Sequence, residues 1–346
     1  MLRFDSDYTQ GACQEVLDAL VRTNWEQTGG YGKDEYCRQA EERIRSLCQA
    51  PEARVHFLTG GTQTNLTLIA AALRPHQGVL CADSGHIQTH ETGAVEATGH
   101  RVMALATPDG KLRASQLEEV VRAHAEDANR EHCVQPGMVY LSYPTENGTL
   151  YEKQELEAIS ALCRREGLLL YLDGARLGYG LAAARDGMDL PSLARLCDAF
   201  YIGGTKQGAL FGEALVVPDP ALLPELRYHM KQRGAMLAKG RLLGVQFLAL
   251  LEDGAYFRLS KKAVDQAHAL AQGLQAAGVE LLYPQQTNQL FPILTRAQAD
   301  RLAQGVAFSP WSTLSDGRRA IRLCTSWATT DQQMQELERL LRQAIA

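Results

Sequence analysis

The chain has 346 residues, enough to bury a sizeable core, and about two domains are expected for this length. Its 45% hydrophobic and 22% charged residues are ordinary for a globular protein. The formal net charge of −5 and the lack of a basic stripe argue against a nucleic-acid partner. No run of about 18 apolar residues is present, which argues against a membrane-spanning helix and a membrane partner.

The amino terminus runs directly into charged residues and lacks the apolar core of a secretory signal. The eight cysteines are scattered without a Cys-x-x-Cys motif, so neither a zinc site nor a redox motif is indicated. Most of them lie in apolar segments, where buried free cysteine is common. These features predict a reduced, cytoplasmic protein without a metal site.

In chain order, an arm and an opening helix at 14–22 precede a glycine-rich turn and an amphipathic helix at 34–48. Strand-like and helical segments then alternate. The expected strands are 55–58, 79–82, 102–105, 138–142, 168–172, 199–202 and 214–217, and the helical patterns between most of them are 62–73, 114–125, 152–165 and 190–196. This alternation predicts an α/β fold with a mostly parallel central sheet and helices on both faces.

The pattern changes after Pro218. A long helical region at 222–251, with Gly234, Gly240 and Gly244 as expected breaks or close contacts, is followed by a second at 256–277. Strand-like segments at 279–282, 291–294 and 320–325 and a last helix from residue 331 come after them. Strands with fewer intervening helices predict a smaller C-terminal α+β domain. The expected organisation is therefore an N-terminal arm at 1–30 that packs with the small domain, a large cofactor-binding domain at 31–250 and the small domain at 251–346.

Two of the expected strands end in polar residues suited to a shared cleft. The strand at 199–202 leads through two glycines to Thr205 and Lys206, and the strand at 168–172 ends at Asp173. Ligands of open α/β sheets bind outside the carboxyl ends of the strands. A lysine that forms a Schiff base with pyridoxal phosphate, beside an aspartate on the pyridinium nitrogen, has this arrangement. The alternative is an ordinary surface lysine and a structurally paired aspartate.

Two arginines are candidates for binding a substrate carboxylate, because the planar guanidinium binds carboxylates in a bidentate manner. Arg176 follows Asp173 closely, and a salt bridge between these two residues is the alternative. Arg322 lies in a strand-like segment whose alternation places it on the face opposite to Ile321 and Leu323. An exposed strand arginine is the alternative there.

The segment Gly-Gly-Thr-Gln-Thr-Asn at 60–65 lies between a strand-like run and a helix. Free backbone amides at a helix start bind phosphate, although a tight turn capped by Thr62 has the same sequence signature. His86 follows the next strand and can stack on a cofactor ring or transfer a proton. His90 competes for this function, and a loop histidine at the surface is the alternative.

Together these motifs resemble the low-specificity L-threonine aldolases of the β-eliminating lyase group, within the fold type I pyridoxal-phosphate enzymes. The resemblance covers nearly the whole chain. It implies pyridoxal 5'-phosphate as the cofactor, with binding residues Gly60, Gly61, Thr62, Gln63, His86, Asp173, Arg176, Thr205 and Lys206. It also implies an amino acid substrate bound by Ser6, Tyr31, Arg176 and Arg322, and a homodimer or homotetramer with active sites at the subunit interface.

Two positions depart from the family pattern. Glu146 stands where the family commonly has a histidine that acts near the substrate hydroxyl. After Gly234 the chain reads Gly-Ala-Met-Leu-Ala, without the arginine that reaches a neighbouring subunit's phosphate, and Lys239 or Arg241 is the proposed substitute.

The implied reaction is cleavage of a β-hydroxy amino acid to glycine and an aldehyde, with Lys206 and Asp173 as catalytic residues. His86, Glu146 or a water molecule remains open as the base. β-Elimination, racemisation and transamination are the alternative reactions, and a cofactor-free α/β binding protein is the alternative class.

Overall fold

The computed structural model covers residues 1–346 and contains thirteen strands. They are β1 (Leu2–Arg3), β2 (Arg54–Leu58), β3 (Gln77–Ala82), β4 (Val102–Leu105), β5 (Gln135–Ser142), β6 (Leu169–Asp173), β7 (Ala199–Gly203), β8 (Glu213–Val217), β9 (Gln289–Leu290), β10 (Ile293–Leu294), β11 (Val306–Ala307), β12 (Ser309–Thr313) and β13 (Arg319–Cys324).

The helices are α1 (Gln14–Thr23), α2 (Glu35–Cys48), α3 (Gly61–Ala72), α4 (His86–Thr89), α5 (Ala114–Glu126), α6 (Lys153–Glu166), α7 (Leu177–Ala183), α8 (Leu190–Leu196), α9 (Leu226–Gln232), α10 (Arg241–Glu252), α11 (Ala255–Ala276), α12 (Arg296–Leu302) and α13 (Asp331–Ile345). None of them is both long and apolar enough to cross a membrane.

The central sheet has seven strands in the order β2-β8-β7-β6-β5-β3-β4. Neighbouring strands from β4 to β7 pair in parallel, and β8 runs antiparallel to both β7 and β2. Every residue of β7 and β8 is buried, as expected for strands covered by helices on both faces. The mostly parallel sheet predicted from the alternating pattern is therefore confirmed.

Side-chain alternation divides the residues of the central strands between two cores, one on each face of the sheet. In β5, Val139 and Leu141 belong to the larger core, which also contains residues of α2 and α10. Met138 and Tyr140 belong to the smaller core, which contains residues of α3. Because successive strand residues point to opposite faces, Asp173 lies on the same face as Tyr171, towards α3.

The C-terminal part contains a sheet in the order β10-β13-β12, with β9 also paired to β13. Its core includes residues of α11, α13 and β13, together with Phe4 from the amino-terminal segment. Sequence patterns did not identify β11, β12 or α12. The strand expected at 279–282 is wrong, since only Leu281 forms a single bridge there, to Pro292. These segments are short and lie among polar residues, so the alternation of apolar and polar side chains is too weak to identify them.

The long helical region expected at 222–251 consists of two helices, α9 and α10, and glycines named as possible breaks or close contacts explain the division. Gly234 has φ of 71°, a left-handed conformation that ends a helix and that residues with a Cβ disfavour. At Gly244, a Cβ would lie 2.5 Å from the backbone nitrogen of Cys37 in α2. One glycine therefore breaks the region and another allows α10 to approach α2 closely.

Gly174 gives a test of the packing that positions the end of β6. A Cβ there would overlap the carbonyl oxygen of Tyr201 in β7. We expect Gly174→Ala to lower the free energy of unfolding by about 3 kcal/mol, because the turn after Asp173 must move away from β7. Urea denaturation measures the change.

The matched control is Gly273→Ala in α11, where a Cβ meets nothing within 4 Å. This substitution should stabilise the protein by about 0.5–1 kcal/mol, since alanine favours a helix interior. Equal stabilities of the two variants would show that the close approach at Gly174 is not maintained in solution.

Candidate active site

A cleft of about 310 Å³ opens where the carboxyl ends of the central strands meet the start of α3. Its lining brings together most of the residues predicted from the sequence, namely Gly60, Gly61, Thr62, His86, Glu146, Asp173, Arg176, Thr205 and Lys206. Ser6, Tyr31, Gln63, Lys239 and Arg322 do not line the cleft of their own chain. Residues up to 205 positions apart in the sequence (8 to 213) thus share one cavity.

Asp173 is 4% exposed and lies at the end of β6. Its carboxylate accepts hydrogen bonds from the hydroxyls of Tyr140 at 2.6 Å and Tyr201 at 2.5 Å, and from Asn65 Nδ2 at 3.0 Å. Burial by itself raises the pKa of Asp173, but the charge of His86 and the two tyrosine hydroxyls outweigh it and lower that pKa. Asp173 is therefore a buried, ionised carboxylate whose hydrogen-bond donors are neutral, and no cation contacts it directly.

Arg176 forms a bidentate ion pair with Asp7 and not with Asp173. Its Nε and one terminal nitrogen lie 2.7 Å and 3.0 Å from the two carboxylate oxygens of Asp7, which is fully buried. Asn288 Nδ2 also donates to Asp7 at 3.0 Å. The salt bridge considered between Asp173 and Arg176 is therefore wrong, because Asp7 already occupies the guanidinium fork.

Lys206 lies in the turn that follows β7, and its carbonyl oxygen accepts a hydrogen bond from Tyr179 at 2.6 Å. Its Nζ lies 5.8 Å from the ring centroid of Tyr8, a cleft residue that sequence patterns did not identify. Burial and the neighbouring charge of Arg176 lower the pKa of Lys206, and Asp7 and other acids only partly oppose them. The neutral, nucleophilic amine is thus more accessible than in an ordinary lysine.

The start of α3 presents free backbone amides to the cleft. The first backbone hydrogen bond of this helix runs from Thr64 N to Gly60 O at 3.0 Å, so the amides of residues 61–63 have no intrahelical acceptor. Gly60 is the N-cap residue, and the expected capping by Thr62 is therefore wrong. Gln63 instead fixes the loop, accepting from Thr59 Oγ1 at 2.7 Å and donating to the Arg233 carbonyl at 3.1 Å. This arrangement suits a phosphate group.

His86 is oriented by a buried acid that sequence patterns missed. Its Nδ1 lies 2.8 Å from Glu91 Oε1, and the same oxygen accepts from Asn65 Nδ2 at 2.7 Å. Asn65 therefore links His86, through Glu91, to Asp173. The ring of His90 lies 5.5 Å from that of His86, but His90 does not line the cleft.

Glu146 lines the cleft next to His86. Its Oε1 accepts hydrogen bonds from Ser142 Oγ at 2.6 Å and from the backbone amide of His86 at 2.9 Å. Burial is the largest influence on this carboxyl group and raises the pKa of Glu146. A raised pKa makes it a stronger base than an ordinary glutamate.

Ser6 and Arg322 lie close together outside the cleft lining. Arg322 contacts the Asp5 carbonyl at 3.3 Å and Ser309 Oγ at 3.4 Å, and its guanidinium lies 5.6 Å from the ring centroid of Trp311. The buried atoms Ser6 Oγ and Arg322 Nε have no hydrogen-bond partner in the protein. Two buried donors without acceptors are suited to an anionic ligand.

Tyr31 and Lys239 lie together on a different surface. The backbone amide of Tyr31 donates to the carbonyl of Ala238 at 3.2 Å, and Lys231 Nζ lies 4.6 Å from the Tyr31 ring centroid. Tyr31 is 45% exposed, and Lys239 is also exposed. Within one chain, the structure does not bring these two residues to the cleft.

Several site residues were missed by sequence patterns, among them Tyr8, Tyr140, Tyr201, Glu91 and Glu213. A signal existed for two of the tyrosines, because alternation in parallel strands places Tyr140 and Tyr201 on the face that carries Asp173. The others approach the cleft through long-range packing that leaves no local pattern.

Comparison with known proteins shows the family of the chain. Residues 3–297 match the sequence profile of the beta-eliminating lyase family. A low-specificity L-threonine aldolase of Pseudomonas aeruginosa is 30% identical over 344 residues, which cover 98% of this chain and 97% of that protein. A solved structure of Leishmania major threonine aldolase is 45% identical, has a TM-score of 0.96 and covers 100% of both chains.

An aspartate aminotransferase structure from Thermus thermophilus is 16% identical, with a TM-score of 0.72 and coverage of 99% of this chain and 91% of that chain. At this identity the likeness concerns the fold alone. The fold is that of the fold type I pyridoxal-phosphate enzymes, as the sequence motifs predicted. Within that class, the chain belongs to the beta-eliminating lyase family.

The ion pair between Asp7 and Arg176 gives a stability test. We expect Asp7→Asn to lower the free energy of unfolding by about 3 kcal/mol at neutral pH, because the buried guanidinium loses its counter-charge. Burial raises the pKa of Asp7, but the charges of Arg176 and Lys206 and the hydrogen bonds from Arg176 and Asn288 together lower it to about 2, against an ordinary value of 3.8. Asp7 therefore contributes its full share to the free energy of unfolding above pH 3.8, and this share is lost as the pH falls through about 2.

Urea denaturation across this pH range measures the difference between the parent protein and the variant, which should shrink towards low pH. The control is Asp265→Asn, which removes an exposed pair with Lys261 and should cost less than about 0.5 kcal/mol. A pH-independent difference for Asp7→Asn would contradict the ion-pair account.

Proposed function

We propose that this protein is a pyridoxal-phosphate-dependent aldolase that cleaves L-threonine, L-allo-threonine or a related β-hydroxy-α-amino acid to glycine and an aldehyde. The observation that carries the proposal is the arrangement of Lys206, Asp173 and the free amides of α3 around one cleft. The threonine aldolase names of the Pseudomonas and Leishmania relatives support the choice of substrate class.

The residues of the cleft fit pyridoxal phosphate. The ionised Asp173 has no cationic contact in the protein and is suited to a protonated ring nitrogen. The amides of Gly61, Thr62 and Gln63 are suited to the phosphate. Lys206 is the amine that would hold the aldehyde carbon in a Schiff base. When bound, pyridoxal phosphate supplies an electron sink for the bonds at the substrate α-carbon.

The protein groups would orient the substrate and exclude other reactions. Arg322 and Ser6 provide two buried donors without acceptors, which supports binding of the substrate carboxylate. Asp7 already binds the guanidinium of Arg176, so Arg176 would act on the substrate through its positive charge at the wall of the cleft. Fixing the carboxylate selects the bond that is held perpendicular to the cofactor ring.

The base that removes the hydroxyl proton of the substrate is proposed to be Glu146, with His86 and a water molecule as alternatives. Burial raises the pKa of Glu146, and the nearby backbone amide and Ser142 hydroxyl hold its carboxylate in place. His86 is held by Glu91 through Nδ1, which favours stacking over the ring.

The alternative reactions at the same carbon framework are β-elimination, racemisation and transamination. Assays for glycine and aldehyde, against pyruvate and ammonia, a D-amino acid or a keto acid, separate them. A cofactor-free binding protein would instead show no colour when saturated with pyridoxal phosphate.

A homodimer or homotetramer with active sites at the subunit interface belongs to the same proposal. The exposed apolar side chains Leu17, Val21 and Trp25 lie on or just after α1, and Trp25 is 92% exposed. In such an assembly, Tyr31 and Lys239 would reach the cleft of a neighbouring subunit. Analytical ultracentrifugation that returns the monomer mass would contradict this part. A cytoplasmic location is proposed with it.

Lys206→Ala is the direct test of the cofactor chemistry. We expect the visible absorption of the protein with pyridoxal phosphate to disappear, and aldehyde release from the threonine isomers to fall by at least about a thousandfold. Absorption spectra and an aldehyde assay measure the two effects. Lys262→Ala, at an exposed position of α11, is the control and should change neither. A coloured, active Lys206→Ala protein would refute the proposal.

Glu146→Gln tests the base. We expect a loss of aldehyde release of about a hundredfold with retained cofactor absorbance, because the amide cannot accept the proton. In the parent protein, activity should fall as the pH drops below the raised pKa of Glu146, and this acidic limb should be absent in the variant. The control is Glu157→Gln on the exposed face of α6. Parental turnover in Glu146→Gln would remove Glu146 from the mechanism.

A further inference from the structure

A second acid, Glu213, lies in the same cleft as Lys206. It is the first residue of β8 and is 3% exposed. Because β8 runs antiparallel to β7, with Glu213 opposite Gly203, it enters the sheet at the edge where β7 ends. The strand pairing therefore places a buried carboxyl group beside the turn that carries Lys206.

Both oxygens of Glu213 are bound to the two residues that precede Lys206. Oε2 accepts the backbone amide of Gly204 at 3.2 Å, and Oε1 accepts the hydroxyl of Thr205 at 2.8 Å. Thr205 Oγ1 in turn accepts the amide of Gly212 at 3.0 Å. The single hydroxyl proton of Thr205 is thus directed to Glu213, and the carboxyl group fixes the backbone turn before the lysine.

Glu213 is not neutralised by an ion pair. Burial raises the pKa of Glu213 to about 8, against the opposing influences of the Thr205 hydroxyl and the charge of Lys206. Asp173, which lines the same cleft, is the other acid whose charge acts on Glu213 and raises its pKa. The remaining titratable groups whose interactions include Glu213 are the neutral hydroxyls of Tyr171, Tyr201 and Tyr256.

Three acids influence Lys206, namely Asp7, Asp173 and Glu213. Asp7 is committed to Arg176 by a bidentate pair, and the charge of Asp173 is distributed over hydrogen bonds from two tyrosines and an asparagine. Glu213 has only one hydroxyl and one amide as donors. Its charge influences Lys206 less than the charges of Asp7 and Asp173 do, but it is the only one of the three acids that is hydrogen-bonded to the two residues before Lys206.

We propose that Glu213 is a positioning residue for Lys206: it fixes the turn that carries the lysine and, once ionised, supplies a counter-charge that favours the protonated form of the Schiff-base nitrogen. The inference rests on the proposed function, because the Schiff-base nitrogen is the group whose protonation is measured. A protonated nitrogen makes the adjoining carbon more electrophilic, and exchange of the lysine for a substrate amine begins at that carbon.

The test is a pH titration of the visible absorption of the protein saturated with pyridoxal phosphate. The midpoint between the protonated and unprotonated Schiff base should fall by about one pH unit in Glu213→Gln, because this variant cannot form the negative charge that Glu213 carries in the cleft once it is ionised. Glu213→Asp keeps the charge, and its midpoint should stay closer to the parent than to the glutamine variant. Glu119→Gln, on the exposed face of α5, is the control and should match the parent.

The outcomes separate this inference from the proposed function. A parent protein without colour refutes the proposed function itself. If the parent protein is coloured and Glu213→Gln has the same midpoint, only the assignment of Glu213 is overturned. Equal shifts in Glu213→Asp and Glu213→Gln indicate a merely structural effect, and this result also overturns the assignment. If Glu213→Gln does not fold, the same titration of Thr205→Val tests the assignment of Glu213. Losing the hydroxyl donor should shift the midpoint in the same direction, and no shift overturns the assignment.

Discussion

The site depends on a buried carboxylate that is ionised without a cation in contact with it. Asp173 would be costly at the end of a buried strand unless its charge were stabilised, because burial favours the neutral form. Hydroxyls from β5 and β7 and the amide of Asn65 in α3 provide that stabilisation. Three elements of the fold therefore converge on the carboxylate that β6 provides, and the same network extends through Glu91 to His86.

The second constraint is the closure of the cleft by distant parts of the chain. Asp7 from the amino-terminal segment binds Arg176 from the end of β6 and Asn288 from the C-terminal part. These contacts span 169 and 281 residues in sequence. A buried pair of this kind is expensive to break on one side, so it ties the segment that contains Ser6 to the sheet edge. The placement of substrate groups and the stability of the fold thus share the same interaction.

Much of the large sheet was predictable because its strands are buried on both faces and its helices are amphipathic. The strands ending at Leu58, Ala82 and Leu105 have the ends expected from the sequence. The C-terminal part was less predictable, since strands as short as Gln289–Leu290 and Ile293–Leu294 contain too few residues to show alternation. The break at Gly234 was visible as a glycine, but its left-handed conformation was not.

The sequence by itself determined the chemical groups and the local structure around each of them. These groups are Lys206 after two glycines, Asp173 after an apolar strand, and the amides at the start of α3. These follow from short-range rules of strands, turns and helix termini. Only the tertiary structure decided that Arg176 pairs with Asp7, that tyrosines hold Asp173, and that Glu213 lies beside Lys206. Burial, long-range pairing and the register of β8 on β7 fix those contacts, and none of them leaves a periodic signal along the chain.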